Sequence, residues 1–404
     1  METPLKVITA ATDDLENPED AIKEIKDAIG KGGGLLANSV AIVSCPPDYV
    51  MAGFTQYLGE HLDFPFLGCT TSNTATEGSS SPTQLSMMIF TSDSVRFRVG
   101  MTEPLSPPKG ADWNDAEIRR HLDKNFLGLY QELTEGFSAP PSLAVPLLPD
   151  IPDYADQLVS RVLFGPHEDL RFFGTKAADV YRKERQGMPM VFCDQEISND
   201  RAALMVCEEG LKPRFFLSDV LKENIIRRKA IITKSSRNTL YEINDRPVPE
   251  FLESMGLDCK NLDISLNTTP FVLLSRDYST HHPRVFVASL RDGGILFNGA
   301  MPEGMSVAVA VLDADAIIET AQSLFSRVAA LPDVKATFFY SCLARQTNLG
   351  WDELRELRLL EAAWEGNPAP WMLAYSGGEI CPRTLPDGTL QNAFLCFTTT
   401  ALVL

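Results

Sequence analysis

The fold is decided by the stretch Val40-Ala41-Ile42-Val43-Ser44-Cys45, an apolar run that ends in small side chains. A helix-like stretch follows, and a second apolar run, Phe66-Leu67-Gly68-Cys69-Thr70, ends just beyond a glycine. The separation is long enough for a strand–helix–strand crossover, the connection that parallel strands require. A further apolar run covers residues 85–90. Together these runs predict a β-α-β-β module.

The same pattern occurs twice more along the chain. The further copies comprise residues 143–149, 172–175 and 202–207, then residues 336–342, 373–379 and 393–397. Three occurrences in order predict an internal repeat of about three β-α-β-β modules.

Helix signals lie between and before these runs. Asn17-Pro18-Glu19-Asp20 combines an N-cap residue, a first-turn proline and two acids that suit a helix N-terminus. Gly30 is placed to end that helix. Apolar residues at helical spacing predict further helices, around residues 54–62, 118–129, 158–163, 317–328 and 354–364.

Strand signals are more numerous than helix signals. Two hairpins are predicted, at residues 225–249 and at 285–298, the second around the turn Asp292-Gly293-Gly294. Many strands must therefore be neighbours without an intervening helix. The sequence predicts an α/β (α+β) fold with mixed or antiparallel sheets flanked by helices.

Length and composition limit the classes of protein. A chain of 404 residues is long enough for two or three packed units. Its 36 basic and 54 acidic residues give a net charge of −18, which disfavours nucleic acid and anionic membrane surfaces as partners. The start of the chain lacks the apolar run of a secretory signal, and no window suits a membrane-spanning helix. We expect no membrane insertion.

The eight cysteines are scattered and form no Cys-x-x-Cys pair. Several lie inside apolar runs, as buried thiols do in a reducing compartment. We therefore expect a cytoplasmic protein without a metal site.

Four segments carry a resemblance to a known family. They are Phe66-Leu67-Gly68-Cys69-Thr70-Thr71-Ser72, the stretch 292–304, Ser341-Cys342-Leu343-Ala344-Arg345, and Gly377-Gly378-Glu379-Ile380. In residue sequence and in their order along the chain, these segments resemble the FIST sensory family, which has an N-terminal and a C-terminal FIST region. The chain departs from the family pattern around residues 210–247, where Asp245-Arg246 stands at a turn that is usually Asp-Gly.

The resemblance implies three parts: a lead-in over residues 1–36, a FIST N-like domain over 37–265 and a FIST C-like domain over 266–404. It also implies a signal-transduction sensor that binds a small molecule, such as an amino acid or a related polar metabolite. The two regions occupy the chain, so the expected output is a separate signalling partner protein.

Candidate ligand-binding residues lie where strands end, because loops diverge there. The strand-end candidates are Gly68, Cys69, Thr70, Cys342 and Gly378. Glycine allows a backbone N–H to approach a ligand closely. The alternative is that each glycine only begins a tight turn.

Arg345 and Glu379 are the sharpest candidates. An amino acid needs a planar cation for its carboxylate and an anion for its ammonium group, and this pair offers both. The alternative is a structural salt bridge between the two residues.

Three other functions stay open. An enzyme could act on a small molecule with Cys342 as a thiolate nucleophile beside Arg345 and Glu379, although no histidine lies nearby in sequence. A haem-linked gas sensor could use His281-His282, Cys45-Pro46 or Cys381-Pro382 as iron ligands, although the histidine pair is interpreted as an exposed turn. A pure interaction scaffold is the third class. The favoured interpretation has no cofactor.

Overall fold

The computed structural model describes residues 5–108, 113–151, 170–179, 189–219, 222–257, 269–275, 281–385 and 387–404. The helices in these residues are α1 (Pro18–Lys31), α2 (Pro47–Met51), α3 (Phe54–His61), α4 (Asp115–Thr134), α5 (Val248–Ser254), α6 (Ala314–Ala329), α7 (Leu343–Asn348) and α8 (Arg355–Trp364).

The strands form four sheets, in each of which neighbouring strands are hydrogen-bonded in the order that follows. Sheet I comprises β1 (Leu5–Thr12), β6 (Leu85–Ser92), β2 (Asn38–Cys45), β3 (Phe66–Thr70), β10 (Val191–Cys193) and β11 (Glu196–Ser198). Sheet II comprises β25 (Leu390–Leu395), β24 (Glu379–Thr384), β9 (Gly174–Lys176), β8 (Leu143–Leu148), β12 (Ala203–Cys207) and β7 (Phe97–Met101).

Sheet III comprises β13 (Arg214–Ser218), β26 (Thr399–Val403), β22 (Thr337–Cys342), β23 (Trp371–Ser376), β4 (Asn73–Thr76) and β5 (Ser79–Ser81). Sheet IV comprises β18 (His281–Arg284), β17 (Phe271–Leu274), β21 (Ser306–Ala310), β14 (Ile225–Ser236), β15 (Thr239–Ile243), β20 (Ile295–Phe297) and β19 (Phe286–Ser289), and β16 (Arg246–Pro247) pairs with β15. Mixed sheets flanked by helices confirm the predicted α+β fold.

Each predicted crossover joins a parallel pair of strands. The pairs are β2 with β3, β8 with β9, and β22 with β23. An antiparallel strand lies on the other side of the first strand of each pair: β6, β12 and β26. The helix predicted around residues 158–163 lies outside the described residues.

The third module departs from the predicted pattern. Its expected last strand, residues 393–397, overlaps β25, which pairs with β24 in sheet II. The strand that takes the corresponding place in sheet III is β26. The run predicted over residues 373–379 is likewise divided between two sheets, because β23 ends at Ser376 and β24 begins at Glu379.

Gly378 makes this change of sheet possible. Its φ of +143° is a backbone conformation that residues with a side chain rarely adopt. A Cβ at Gly378 would also lie 2.5 Å from the ring of Phe394. The chain therefore turns between sheets at a position that only glycine fits.

Strands that precede residue 265 and strands that follow it, here called the two halves of the chain, share sheets II, III and IV. In sheet III, β4 pairs with β23, and Ala75 lies opposite Leu373. In sheet II, β9 pairs with β24, and Thr175 lies opposite Glu379. The two halves therefore interlock through backbone hydrogen bonds.

The predicted helices and hairpins that fall on described residues are present, with differences at the two ends of α1. Gly30, expected to end this helix, lies within it. The helix predicted after Asn17 is α1, with Pro18 in its first turn, but the Asn17 side chain makes no cap bond to the backbone. It contacts Asp20 instead. The two predicted hairpins are formed by β14 with β15 and by β19 with β20. None of the described helices is both long and apolar enough to cross a bilayer.

Candidate functional site

The carboxyl ends of the three parallel strand pairs meet in the structure. The N–H of Ala178, just beyond β9, donates to Thr70 O at the end of β3 (2.9 Å). Beyond β23, Gly377 N–H donates to Lys176 O (2.9 Å), and Lys176 N–H donates to Gly378 O (3.0 Å). Three segments that are distant in sequence are thereby held side by side.

An ion pair lies at this meeting point. Lys176 Nζ, at the end of β9, is 2.9 Å from Asp150 Oδ1, just beyond β8. The two side chains are 7% and 12% exposed. A cation and an anion are thus placed together with limited access to solvent. We call Thr70, Asp150, Lys176, Gly377 and Gly378 the strand-end cluster.

Ser72 connects the first module to the third beside this cluster. Its hydroxyl donates to Gln346 Oε1 in α7 (2.8 Å), and its N–H donates to Tyr375 O (3.0 Å). Gln346 is buried, at 4% exposure. The polar contact between the two halves therefore reaches the first turn after β22.

Gly68 and Cys69, both predicted at the site, lie inside β3. The close neighbour of Gly68 is the ring of Phe192, which a Cβ would meet at 2.3 Å. The glycine serves neither a turn nor an open strand end. Burial raises the pKa of the Cys69 thiol to about 12. Contact of either residue with a ligand stays a prediction.

Arg345 belongs to α7, and its ion-pair partner is Glu356 of α8. Its Nη2 lies 2.9 Å from Glu356 Oε1 in α8, and the side chains are 2% and 0% exposed. Ser341 and Thr399 hydroxyls donate to the two oxygens of Glu356, at 2.8 and 2.9 Å. Among the described residues, the salt-bridge partner of Arg345 is Glu356 and not Glu379, which interacts with Arg345 at longer range.

Glu379 is fully buried at the start of β24. It accepts hydrogen bonds from the hydroxyls of Thr398 and Ser376, the second at 3.4 Å. Burial raises the pKa of the Glu379 carboxyl well above its ordinary value. The two hydrogen bonds and the positive charge of Arg345 lower this pKa, but by less than burial raises it. This environment stabilises the neutral form of Glu379 more than solvent stabilises that of an exposed carboxyl.

Cys342 ends β22 with its side chain buried. Burial raises the pKa of the thiol well above its ordinary value, and the nearby Glu379 carboxyl raises it further. A nucleophilic cysteine needs the opposite shift, toward the thiolate. The surroundings of Cys342 therefore favour a packing role.

The histidine pair does not form the exposed turn expected from the sequence. His281 and His282 lie in β18, which pairs with β17, and the His281 imidazole lies 3.2 Å from Asp219. Burial and two neighbouring arginines lower the pKa of His282 to about 4. The expectation failed because both residues belong to a paired strand, in which His281 is buried and His282 is half-buried.

The other residues considered for haem are buried thiols. Cys45 lies at the end of β2 and Cys381 within β24. Burial raises the pKa of both, which disfavours the thiolate that haem iron binds. Among the residues that the structure describes, no three His, Cys, Asp or Glu side chains are grouped as in a metal site.

Two clefts lined by described residues lie away from the cluster. One, of about 700 Å³, is bordered by β7 and the β10–β11 turn and carries Asp63, Asp194, Glu196 and Arg201. The other, of about 720 Å³, lies beside Leu404. Neither contains a residue of the strand-end cluster. The candidate site is therefore defined by its converging polar groups and not by the size of a cleft.

Two charged residues near the predicted site, Lys176 and Glu356, were not predicted from the sequence. A lysine directly after the buried Gly174-Thr175 was the available signal for the first, because lysine is rarely buried without a partner. Glu356 lies on the buried face of α8 beside Leu357 and Leu360, where an acid is unexpected. Neither signal identifies the partner, which comes from another part of the chain.

Comparison with known families gives two matches. The FIST N domain matches residues 39–246, and the FIST C domain matches residues 250–382. Together they span most of the chain. FIST domains are sensory domains implicated in small-ligand binding and signal transduction. No curated protein matches the chain significantly.

Proposed function

The chain belongs to the FIST family, and from this premise we propose that it is a sensor that binds a small polar metabolite at the strand-end cluster. A cytoplasmic location and a separate output protein are part of the proposal. So is the division into a lead-in, a FIST N-like domain and a FIST C-like domain.

One observation carries the proposal: the buried Lys176–Asp150 ion pair stands where three strand ends meet. Small-molecule sites are marked by a few converging polar groups, and a partly exposed ion pair among strand ends supplies two of them. The Arg345–Glu356 pair is almost fully enclosed by comparison. Accessibility thus favours Lys176 and Asp150 as the ligand contacts.

The chemistry of the pair favours a ligand with charge of both signs. The Lys176 ammonium has three donors, and one of them is directed to Asp150. A ligand carboxylate can accept a second donor while a ligand ammonium group donates to Asp150. An amino acid or a related metabolite meets both requirements.

Arg345 and Glu379 keep a place in the proposal. Arg345 precedes Gln346, which accepts from Ser72, and Glu379 follows Gly378 of the cluster. Ligand contact of either residue would require a rearrangement of the bonds that now hold it. Signalling would follow from a population shift, in which the ligand favours one arrangement of the joined strand ends.

A thermal-shift screen tests the proposal. The purified protein is heated with free amino acids, with related carboxylates and amines, and with haem. A ligand present at one hundred times its Kd stabilises the folded state by about 2.7 kcal/mol, which raises Tm measurably. A screen without any shift contradicts the proposal.

The matched variants locate the site. Lys176→Met combined with Asp150→Asn removes both charges together, so no unpaired charge stays buried. Lys234→Met is the control, because Lys234 forms an exposed ion pair with Glu242 (3.5 Å). We expect the ligand shift to persist in the control and to disappear in the double variant. A shift retained in the double variant places the ligand elsewhere.

A further inference from the structure

The short helix α7 contacts both the surroundings of the strand-end cluster and the outer helices of sheet III. On one side Gln346 accepts a hydrogen bond from the hydroxyl of Ser72, a residue 274 positions away in sequence. On the other side the adjacent Arg345 contacts α6 and α8. Two consecutive side chains of α7 therefore bind two different parts of the protein.

The bonds of Arg345 are numerous and buried. Its Nη2 donates to Ile317 O (2.9 Å) and to Thr320 Oγ1 (3.0 Å), both in α6. Its Nε and Nη2 donate to Glu356 in α8 at 3.1 and 2.9 Å. Its Nη1 donates to Phe397 O (3.3 Å). Because buried charged bonds are costly to break, α7 is constrained to move together with α6 and α8.

The solvent-facing side of α6 and α8 carries side chains whose surroundings would change if α7 moved. Arg355 of α8 and Asp315 of α6 form an ion pair of 3.1 Å at the surface. Trp351, in the turn between α7 and α8, is 97% exposed. A displacement of α7 thus reaches a surface with a large apolar side chain.

We infer that α7 is a conformational relay: it couples the Ser72–Gln346 contact at the strand-end cluster to the α6–α8 face through Arg345. The inference rests on the proposed function for the identity of the signal, since the displacement of α7 would be caused by ligand binding beside Ser72. The physical basis is that adjacent residues of one short helix make both sets of hydrogen bonds, Gln346 with Ser72 and Arg345 with α6 and α8.

Hydrogen exchange measured by mass spectrometry tests the relay without a ligand. Ser72→Ala removes the hydroxyl that donates a hydrogen bond to Gln346. It leaves in place the hydrogen bond from the backbone N–H of residue 72 to Tyr375 O. The matched control is Thr74→Val, because the Thr74 hydroxyl also joins the two halves, at Leu373 O (3.0 Å), but does not contact α7. We expect Ser72→Ala to speed exchange in α6 and α8 about threefold or more, and the control to leave it unchanged.

A second variant tests the route through Arg345. Thr320→Val deletes one bond between Arg345 and α6 while keeping the ion pair with Glu356. In this background we expect Ser72→Ala to have a smaller effect on α6 than in the wild-type protein. Trp351 fluorescence, taken as the difference from Trp351→Phe, should change with Ser72→Ala but not with Thr74→Val.

Three results would overturn the relay. They are no change of exchange in α6 and α8 with Ser72→Ala, an equal change with Thr74→Val, or an effect of Ser72→Ala that is undiminished in the Thr320→Val background. Because no ligand is used, these results are independent of the thermal-shift screen. A failed relay leaves the binding proposal intact, and a failed screen leaves the mechanical coupling intact.

Discussion

Arg345 and Glu356 form an ion pair inside the protein, with Nη2 and Oε1 2.9 Å apart and both side chains almost fully enclosed. Three elements meet in this contact, because Ser341 of β22 also donates to Glu356. The pair therefore holds α7 and α8 against sheet III.

Removal of one partner should destabilise the protein strongly. Glu356→Gln leaves the Arg345 guanidinium buried without its counter-charge, and we expect a loss of about 3 kcal/mol or more in the free energy of unfolding. The double variant Arg345→Met/Glu356→Leu should recover most of that loss, since it buries no charge. Urea denaturation of the three proteins measures the difference. A double variant as unstable as the single one would contradict this account.

Glu379 should make stability depend on pH. Its pKa is raised in the folded protein, mainly by burial, so its contribution is fully present below the unfolded pKa of about 4.5 and is lost as pH rises through the folded pKa. Glu379→Gln mimics the neutral acid and should lack this loss. The difference in Tm between variant and wild type should therefore shift in favour of the variant from pH 4 to pH 8. A difference independent of pH would show that Glu379 ionises normally.

Gly68 should tolerate no side chain. A Cβ there would lie 2.3 Å from the Phe192 ring and 2.5 Å from Val43 O, so Gly68→Ala must displace the neighbouring strands. We expect a loss of about 2 to 3 kcal/mol in chemical denaturation. Gly30→Ala is the control, because no atom lies within 4 Å of a Cβ at that position of α1. The control should be neutral or stabilising by about 0.5 to 1 kcal/mol.

The two halves of the chain should not fold separately. Sheets II and III each contain strands from both sides of residue 265, so a cut there would leave β9 and β23 with unpaired edges. We expect residues 1–265 and 266–404, expressed alone, to lack a cooperative thermal transition, and the mixed fragments to regain one. Circular dichroism and size-exclusion chromatography measure both. A cooperative transition in either isolated half would contradict the interlocked arrangement.

The strand–helix–strand crossovers were predictable from the sequence because their signals are local. Apolar runs such as residues 40–45 and 66–70 indicate the strands, and the separation between them is long enough for the crossover that parallel strands require. The strand ends were identified for the same reason. Their convergence could not be deduced, because it depends on contacts such as Ala178 to Thr70.

The ion-pair partners of Arg345 and Lys176 could not be predicted from the sequence. Arg345 was expected to act with Glu379, because both follow strand ends, yet it pairs with Glu356 on the buried face of α8. Lys176 was overlooked, although it forms an ion pair with Asp150 that is less enclosed than the pair of Arg345 and Glu356. A side chain carries its charge in the sequence, but the position of its counter-charge is set by how distant elements pack.

The sequence by itself determined the strand–helix–strand crossovers, the mixed α+β class and the family, since these depend on periodicity, turn residues and short motifs. Tertiary structure alone decided which sheet β24 and β25 enter, which half of the chain completes each sheet, and which charges meet at the strand-end cluster. The physical reason is range: strand and helix signals act over a few residues, whereas a sheet edge or a buried charge accepts a partner from any part of the chain that packing brings within reach.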